Sequence, residues 1–209
     1  MNWSEAKIGR ILARDTFKDM LCVLPNTYYA GEEADLLCVS KSLRLIDVEI
    51  KISRADLKRD PAKDKWWQSA KLAESVIVES SWGPRPGKPQ IMKRYPKIPR
   101  AYPRHVWKHY YAMPESIWKP ELLEFVQPIS GVLLISDDKR VKSIKRCKPN
   151  LKAPLMDAHD LMLIARLCSY RMWDAYGHLE KRADGKNHME APSLEMKSLI
   201  ESAVSSLSS

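Results

Sequence analysis

The sequence predicts an α/β fold, a mixed central β-sheet flanked by helices, and three observations carry that expectation. Leu45 to Ile52 (LIDVEIKI) alternates apolar and charged residues with a period of two, as a strand does. Ser4 to Asp15 and Asp157 to Met172 carry apolar residues at helical spacing. Between them lie further short apolar runs closed by turn residues, the mark of additional strands.

Taken in order, Ser4 caps a first helix in which Glu5, Ile8 and Leu12 share one side. Met20 to Leu24 reads as a first strand ended by Pro25 and Asn26, and Ala34 to Ser40 as a second. In the third, Ile46, Val48, Ile50 and Ile52 point one way and Asp47, Glu49 and Lys51 the other. The aliphatic face should pack on a helix. Ser53 opens another helix, which runs on through Trp66, Trp67 and Leu72, with Pro61 interrupting or restarting it.

From Ser81 to Lys108 the chain has no acidic residue and six prolines, which forbid regular structure through most of it. It reads as a basic, Pro-rich insertion into the fold. Strands return at His109 to Met113 and Gly131 to Ile135, and Asp137-Asp138-Lys139 turns into Arg140 to Cys147 to complete a hairpin. Asp157 caps a last firm helix with Leu161, Ile164, Ala165, Cys168 and Met172 on its inner side. One domain over residues 1–176 is expected, then a flexible tail over 177–209 with a weak helix at Ser193 to Val204.

Composition narrows the function. A formal charge of +9 at a pI near 9.3 favours a polyanionic partner, nucleic acid before an anionic membrane surface. No apolar run is long enough to span a bilayer, and MNWSEAKIGRILARD lacks the apolar core of a secretory signal, so a cytoplasmic location and no membrane partner are expected. Cys22, Cys38, Cys147 and Cys168 are scattered without a CxxC pair, which argues for buried thiols over a zinc site or disulfides. Walker, GxGxxG and GxSxG patterns are absent.

The charged face of the third strand is the candidate site. A divalent ion such as Mg2+ or Mn2+ takes hard oxygen ligands, polarises a phosphate and activates a bound water, while a nearby lysine steadies developing negative charge. Asp35 on one strand, with Glu49 and Lys51 two residues apart on the next, supplies those groups. A solvated strand face would show the same Glu-x-Lys spacing. What favours an active site is the upstream aspartate, the aliphatic opposite face and the helix directly after.

The run ADLLCVSKSLRLIDVEIKISRADLKRD resembles the PD-(D/E)XK nuclease superfamily, and most closely its MmcB-like branch of DNA-repair proteins. The resemblance rests on Ala34-Asp35, Val48-Glu49-Ile50-Lys51, Ser53-Arg54-Ala55-Asp56 and Lys65-Trp66, in that order. HYYAMPESI and GVLLISDDKRVKSIKR resemble the branch's aromatic strand and closing hairpin. The likeness spans most of Trp3 to Tyr176. It implies a restriction-endonuclease-like core, metal binding by Asp35 and Glu49, and catalytic assistance from Lys51. Glu5 matches the place of an additional acidic ligand, with Glu33 as its competitor. Gln68 stands either near the site or as an exposed amide.

The resemblance further implies a metal-dependent deoxyribonuclease, an endonuclease of DNA repair, recombination or phage DNA processing. The alternative is a catalytically inactive nucleic-acid-binding protein on the same fold. The insertion would grip DNA through Arg85, Lys88, Lys93, Arg94, Lys97, Arg100 and Arg104, with Arg54, Lys58 and Lys65 nearer the site. Its interleaved Trp82, Tyr95, Tyr102 and Trp107 would stack on exposed bases, or else pack against the domain. A homodimer would suit cutting of both strands, although no interface signal is visible. His105 and His109, four residues apart, lack a partner pattern for a metal site, and helix capping accounts for the Asp157, His159 and Asp160 cluster.

Overall fold

The structure, a computed structural model, describes residues 2–70, 74–79 and 89–183, with 74–79 and 89–94 described by their backbone. Helix α1 (Glu5–Arg14) begins where the Ser4 side chain accepts from Lys7 N. Strands β1 (Cys22–Tyr29), β2 (Glu32–Val39) and β3 (Leu45–Ile50) follow as an antiparallel meander. Helix α2 (Arg54–Arg59) is capped by the Ser53 hydroxyl, which accepts from Asp56 N. After it come β4 (Trp67–Ser69), β5 (Glu74–Glu79), β6 (Pro89–Arg94) and β7 (Lys97–Pro99). The chain closes with β8 (Val106–Pro114), β9 (Gly131–Ile135), β10 (Val141–Lys145) and α3 (Ala158–Ala183).

Six strands form one mixed sheet in the order β1-β2-β3-β8-β9-β10, with β3, β8 and β9 parallel and the edges antiparallel. On one face, Ile8 and Leu12 of α1 pack on Leu36, Cys38, Ile46, Val48 and Ile50. On the other face lie two apolar clusters. Leu57 and Trp66 cover Tyr111, Met113, Val132 and Leu134, while Ile164 of α3 covers Leu37, Val39 and Leu45. Between these clusters the same face is polar, and there the candidate site stands.

Four expectations are corrected. The first strand does not stop at Pro25 and Asn26. It continues to Tyr29, with Asn26 in the left-handed region (φ 45°) where pairing skips from Pro25↔Leu36 to Thr27↔Ala34. An edge strand tolerates the proline because one row of its backbone groups needs no partner. The helix from Ser53 ends at Arg59, and two 3-10 turns (Asp60–Ala62 and Asp64–Trp66) carry the chain to β4. Pro61 takes the early position of the first turn, where its missing N–H costs nothing.

The Pro-rich run is not irregular throughout: it contains β6 and β7 and the start of β8. The last helix extends past Gly177 to Ala183, and of its expected inner side Ala165 and Met172 are exposed while Leu167 turns inward. Trp82, Arg85, Lys88 and the Ser193–Val204 helix lie outside the described residues. Among the described residues no helix is long and apolar enough to cross a membrane.

Candidate functional site

Strand register builds the site. Leu36 pairs with Val48 and Leu37 with Asp47, so the same register carried one step further sets Asp35 opposite Glu49. On the other side of β3, the parallel pairing sets Asp47 beside His109 and Glu49 beside Tyr111. Side chains two apart share a face, and Asp47, Glu49 and Lys51 therefore line up on the polar face, all buried.

Asp35 Oδ2 accepts from Ile50 N at 2.7 Å, satisfying a donor that the β2–β3 ladder no longer reaches. Burial, and then the neighbouring Glu49, pushes its carboxyl up to about 6. Among the described residues no ammonium or guanidinium reaches ion-pair distance of Asp35.

Glu49 is the opposite case. Its Oε2 meets Lys51 Nζ at 2.7 Å and also Lys63 Nζ, while Oε1 meets Lys65 Nζ. Burial alone would raise its carboxyl, but Lys65, Lys51 and Lys63 together hold it well below the usual range.

Each lysine is shared. Lys51, 1% exposed, also contacts Asp60 Oδ1 at 2.7 Å. Lys65 also binds Asp47 Oδ2 at 2.8 Å. Lys63 sits 3.4 Å from Asp60 Oδ1 but is 41% exposed, so it alone of the three is well open to solvent. Asp60 is further held by Trp66 Nε1 at 3.0 Å and by the Tyr111 hydroxyl, both donating to Oδ2.

Behind this array His109 Nδ1 bonds Ser130 Oγ at 2.8 Å, and Nε2 lies 3.7 Å from Asp47 Oδ2 without a hydrogen-bond partner. Burial and the nearby Lys65 lower its pKa to about 3, so the ring is neutral. Asp47, Glu49 and His109 offer ligand atoms within 4.8 Å of one another, the only such group among the described residues. Lys65 already bridges its two carboxylates, however, with an ammonium where a cation would sit.

In front of Glu49 opens a cleft of about 590 Å3, lined by the cations Lys63, Lys65, Arg100 and Arg104 and by the acids Glu32, Glu33, Asp35, Glu49 and Asp64. Arg100 Nη1 meets Glu32 Oε1 at 2.5 Å, and Arg104 N donates to Glu32 Oε2 at 2.9 Å. The two arginines are thereby fixed to the end of β2.

Other expected residues fall elsewhere. Glu5 is exposed on α1 and lines a separate crevice of about 320 Å3 with Asp35 at its border, whereas Glu33 lies on the main cleft. Arg54 Nε donates to Ile117 O at 2.7 Å and Lys58 stands over Phe125, so both face the 3-10 turn side and not the cleft. Lys65 belongs to the buried cluster and is not a surface phosphate contact. Gln68 is exposed on β4. Tyr102 and Trp107 pack against the body: the Tyr102 hydroxyl donates to Pro149 O, and Trp107 joins the α1-side core under Lys108 and Arg44.

Asp60 and Lys63 were not singled out by sequence spacing, and Asp47 only as a companion of Glu49; His109 was considered with His105 and set aside, whereas the structure groups it with Asp47 and Glu49. The remaining signal lay in the Asp60-Pro-Ala-Lys63-Asp-Lys65 run after the Glu-x-Lys strand, dense in charge beside a tryptophan pair.

No family model matches the chain, and neither does any curated protein. Among solved structures it is similar to the SPO1766 protein of Silicibacter pomeroyi, a protein of unknown function, at 14% identity and a TM-score of 0.50. The match covers 92% of this chain and 100% of that one. That likeness concerns the α/β fold.

Proposed function

We propose that this chain is a metal-dependent nuclease that hydrolyses DNA phosphodiester bonds on a restriction-endonuclease-like core, with its site at Asp35, Glu49 and Lys51. The observation carrying the reading is the meeting of Asp35 and Glu49 across β2 and β3, with Lys51 two residues on, beside a cleft walled by Lys63, Arg100 and Arg104.

A carboxylate pair of this kind fits Mg2+ or Mn2+, which take hard oxygen donors and retain water. Asp35, free of any ammonium among the described residues, and Glu49 would hold the ion; it would supply phosphate polarisation and an activated water. Lys51 is too buried to touch DNA directly. Its part is to fix Glu49 Oε2 and to keep positive charge behind the reacting phosphate. Lys63 has the exposure to reach a phosphate oxygen, and Arg100 and Arg104 would neutralise the flanking backbone.

One observation favours the second reading, an inactive nucleic-acid-binding protein on the same fold. Three ammonium groups already compensate Glu49. The deciding experiment is cleavage of labelled single-stranded, duplex and branched DNA with Mg2+ or Mn2+, comparing wild type with Glu49→Ala and Lys51→Ala. Metal-dependent cutting lost in both variants supports the enzyme. Tight binding without cutting on any substrate supports the inactive binder.

A further inference from the structure

We propose that Lys65 is a resident cation: its ammonium fills a His–Asp–Glu site that otherwise takes a divalent transition metal, so that the protein holds a single metal ion, at Asp35 and Glu49. The single-ion consequence rests on the metal reading above, whereas the filled site stands on its own geometry.

Two strands supply the ligand atoms. Asp47 and Glu49 lie two apart on β3, and His109 pairs with Asp47 from β8. These atoms come within 4.8 Å of one another, and all three side chains are buried. Two carboxylates and an imidazole suit Mn2+, Co2+ or Zn2+, whereas Mg2+ takes oxygen.

His109, 0% exposed, has the setting of a ligand. Its Nδ1 is bonded to Ser130 Oγ at 2.8 Å, the kind of outer contact that orients a metal-binding imidazole. Trp66 and Tyr111 each meet the ring in edge geometry, 4.9 Å between centroids, and fix its plane. Nε2 then stands 3.7 Å from Asp47 Oδ2 without a hydrogen-bond partner, and Asp47 Oδ1 is likewise buried without one. Unpaired polar atoms in such a place are costly in a site that serves only an ion pair. Beside a bound ammonium, they are the donors that a divalent ion would use.

Lys65 fills that position. Its Nζ meets Asp47 Oδ2 at 2.8 Å and also Glu49 Oε1, the two carboxylates of the set. Lys63, 41% exposed, can leave Glu49 for solvent, but the Lys65 side chain is only 5% exposed. The buried Trp66 next to it is anchored through Nε1 to Asp60 and through its carbonyl to Arg100 N at 2.8 Å. Of Asp47, His109 and Lys65, Lys65 alone lines the cleft. It therefore stands between the cleft and the two ligands behind it, and truncating it opens the path by which an ion would enter.

The test titrates the full chain with Mn2+ and Co2+, using calorimetry to count ions and proton NMR of the Co2+ form to look for a shifted imidazole N–H. Wild type should bind a single ion and show no such signal. Lys65→Ala, its fold checked by circular dichroism, should bind one ion more than wild type, give the imidazole signal and melt higher with Co2+ than without. Adding Ser130→Ala should weaken that extra site by about tenfold or more, and adding His109→Asn should abolish its signal. A shifted imidazole signal in wild type, a measurement that needs no variant to fold, means that an ion displaces Lys65 and overturns the proposal. So does a folded Lys65→Ala that takes no extra ion. Absence of any ion in wild type overturns the metal reading above together with the single-ion consequence, and the Lys65→Ala titration then decides the filled site by itself.

Discussion

Lys65 bridges Asp47 and Glu49, two carboxylates two residues apart on one strand, from a position sixteen residues beyond Glu49. Burial would depress its pKa, but the two acids hold the ammonium above its ordinary value. All three groups are buried; Glu49 has Lys51 and Lys63 as further partners, but the desolvation of Asp47 is offset by the Lys65 ammonium.

Lys65→Met should therefore destabilise the fold by about 3–5 kcal/mol, the range for removing one partner of a buried ion pair. Adding Asp47→Asn should recover part of the loss, because Asp47 is the carboxylate left without a cation while Glu49 keeps Lys51 and Lys63. Urea denaturation of the wild type, single and double variants measures both. A single variant within about 0.5 kcal/mol of wild type would show that the bridge is not formed.

Glu49→Ala and Lys51→Ala should each lower metal-dependent cleavage by about 100-fold or more, in line with loss of a preorganised electrostatic group. Binding of DNA should persist in Lys51→Ala, since Lys51 does not line the cleft. Gel-shift and cleavage assays on the same preparation separate the two effects.

Lys63 competes with any cation for Glu49 Oε2. Removing it in Lys63→Ala should tighten Mn2+ binding by about fivefold, the scale of one partly exposed charge pair, while slowing cleavage. Titration calorimetry with Mn2+ alone reads the first effect. Unchanged or weaker Mn2+ binding would place the ion away from Glu49.

Acid should act through His109. Its folded pKa, about 3, lies below the ordinary 6.5, so the stability it contributes is complete above pH 6.5 and is lost as pH falls from there toward 3. Between pH 6.5 and 4 the loss should be roughly 3 kcal/mol. Asp35 acts in the opposite sense, since a raised carboxyl favours the fold below its ordinary value of 3.8 and ceases to do so as pH rises through about 6. Melting temperatures of wild type, His109→Asn and Asp35→Asn from pH 4 to 8 resolve the two. His109→Asn should flatten the acid limb; an unchanged limb would remove His109 as its cause.

Elements with a strong local period were legible in the sequence. The alternation of β3 announced both its faces, and Ser4 and Ser53 announced their helices, because a side-chain cap is decided within three residues. The prolines misled. Pro89 and Pro99 stand in strands of two-stranded blocks, where each strand has a free edge and a missing N–H can face outward, so proline spacing there did not exclude pairing. The helix expected through Trp66 failed for a different reason. Tertiary ties to Asp60 and Trp66 favoured 3-10 turns that deliver Lys63 and Lys65 to Glu49.

By itself, then, the sequence determined that Asp47, Glu49 and Lys51 share one face of a strand with an aliphatic back, since that follows from a period of two and nothing else. Only the tertiary structure decided which charges meet. Strand pairing sets Asp35 opposite Glu49 and His109 beside Asp47, and the 3-10 turns fold Asp60, Lys63 and Lys65 over them. Those partners come from segments as far apart as β2 and β8, and spacing along the chain holds no record of such contacts. Their selection is electrostatic, because buried charge is tolerated only where opposite charge is brought within a few ångströms.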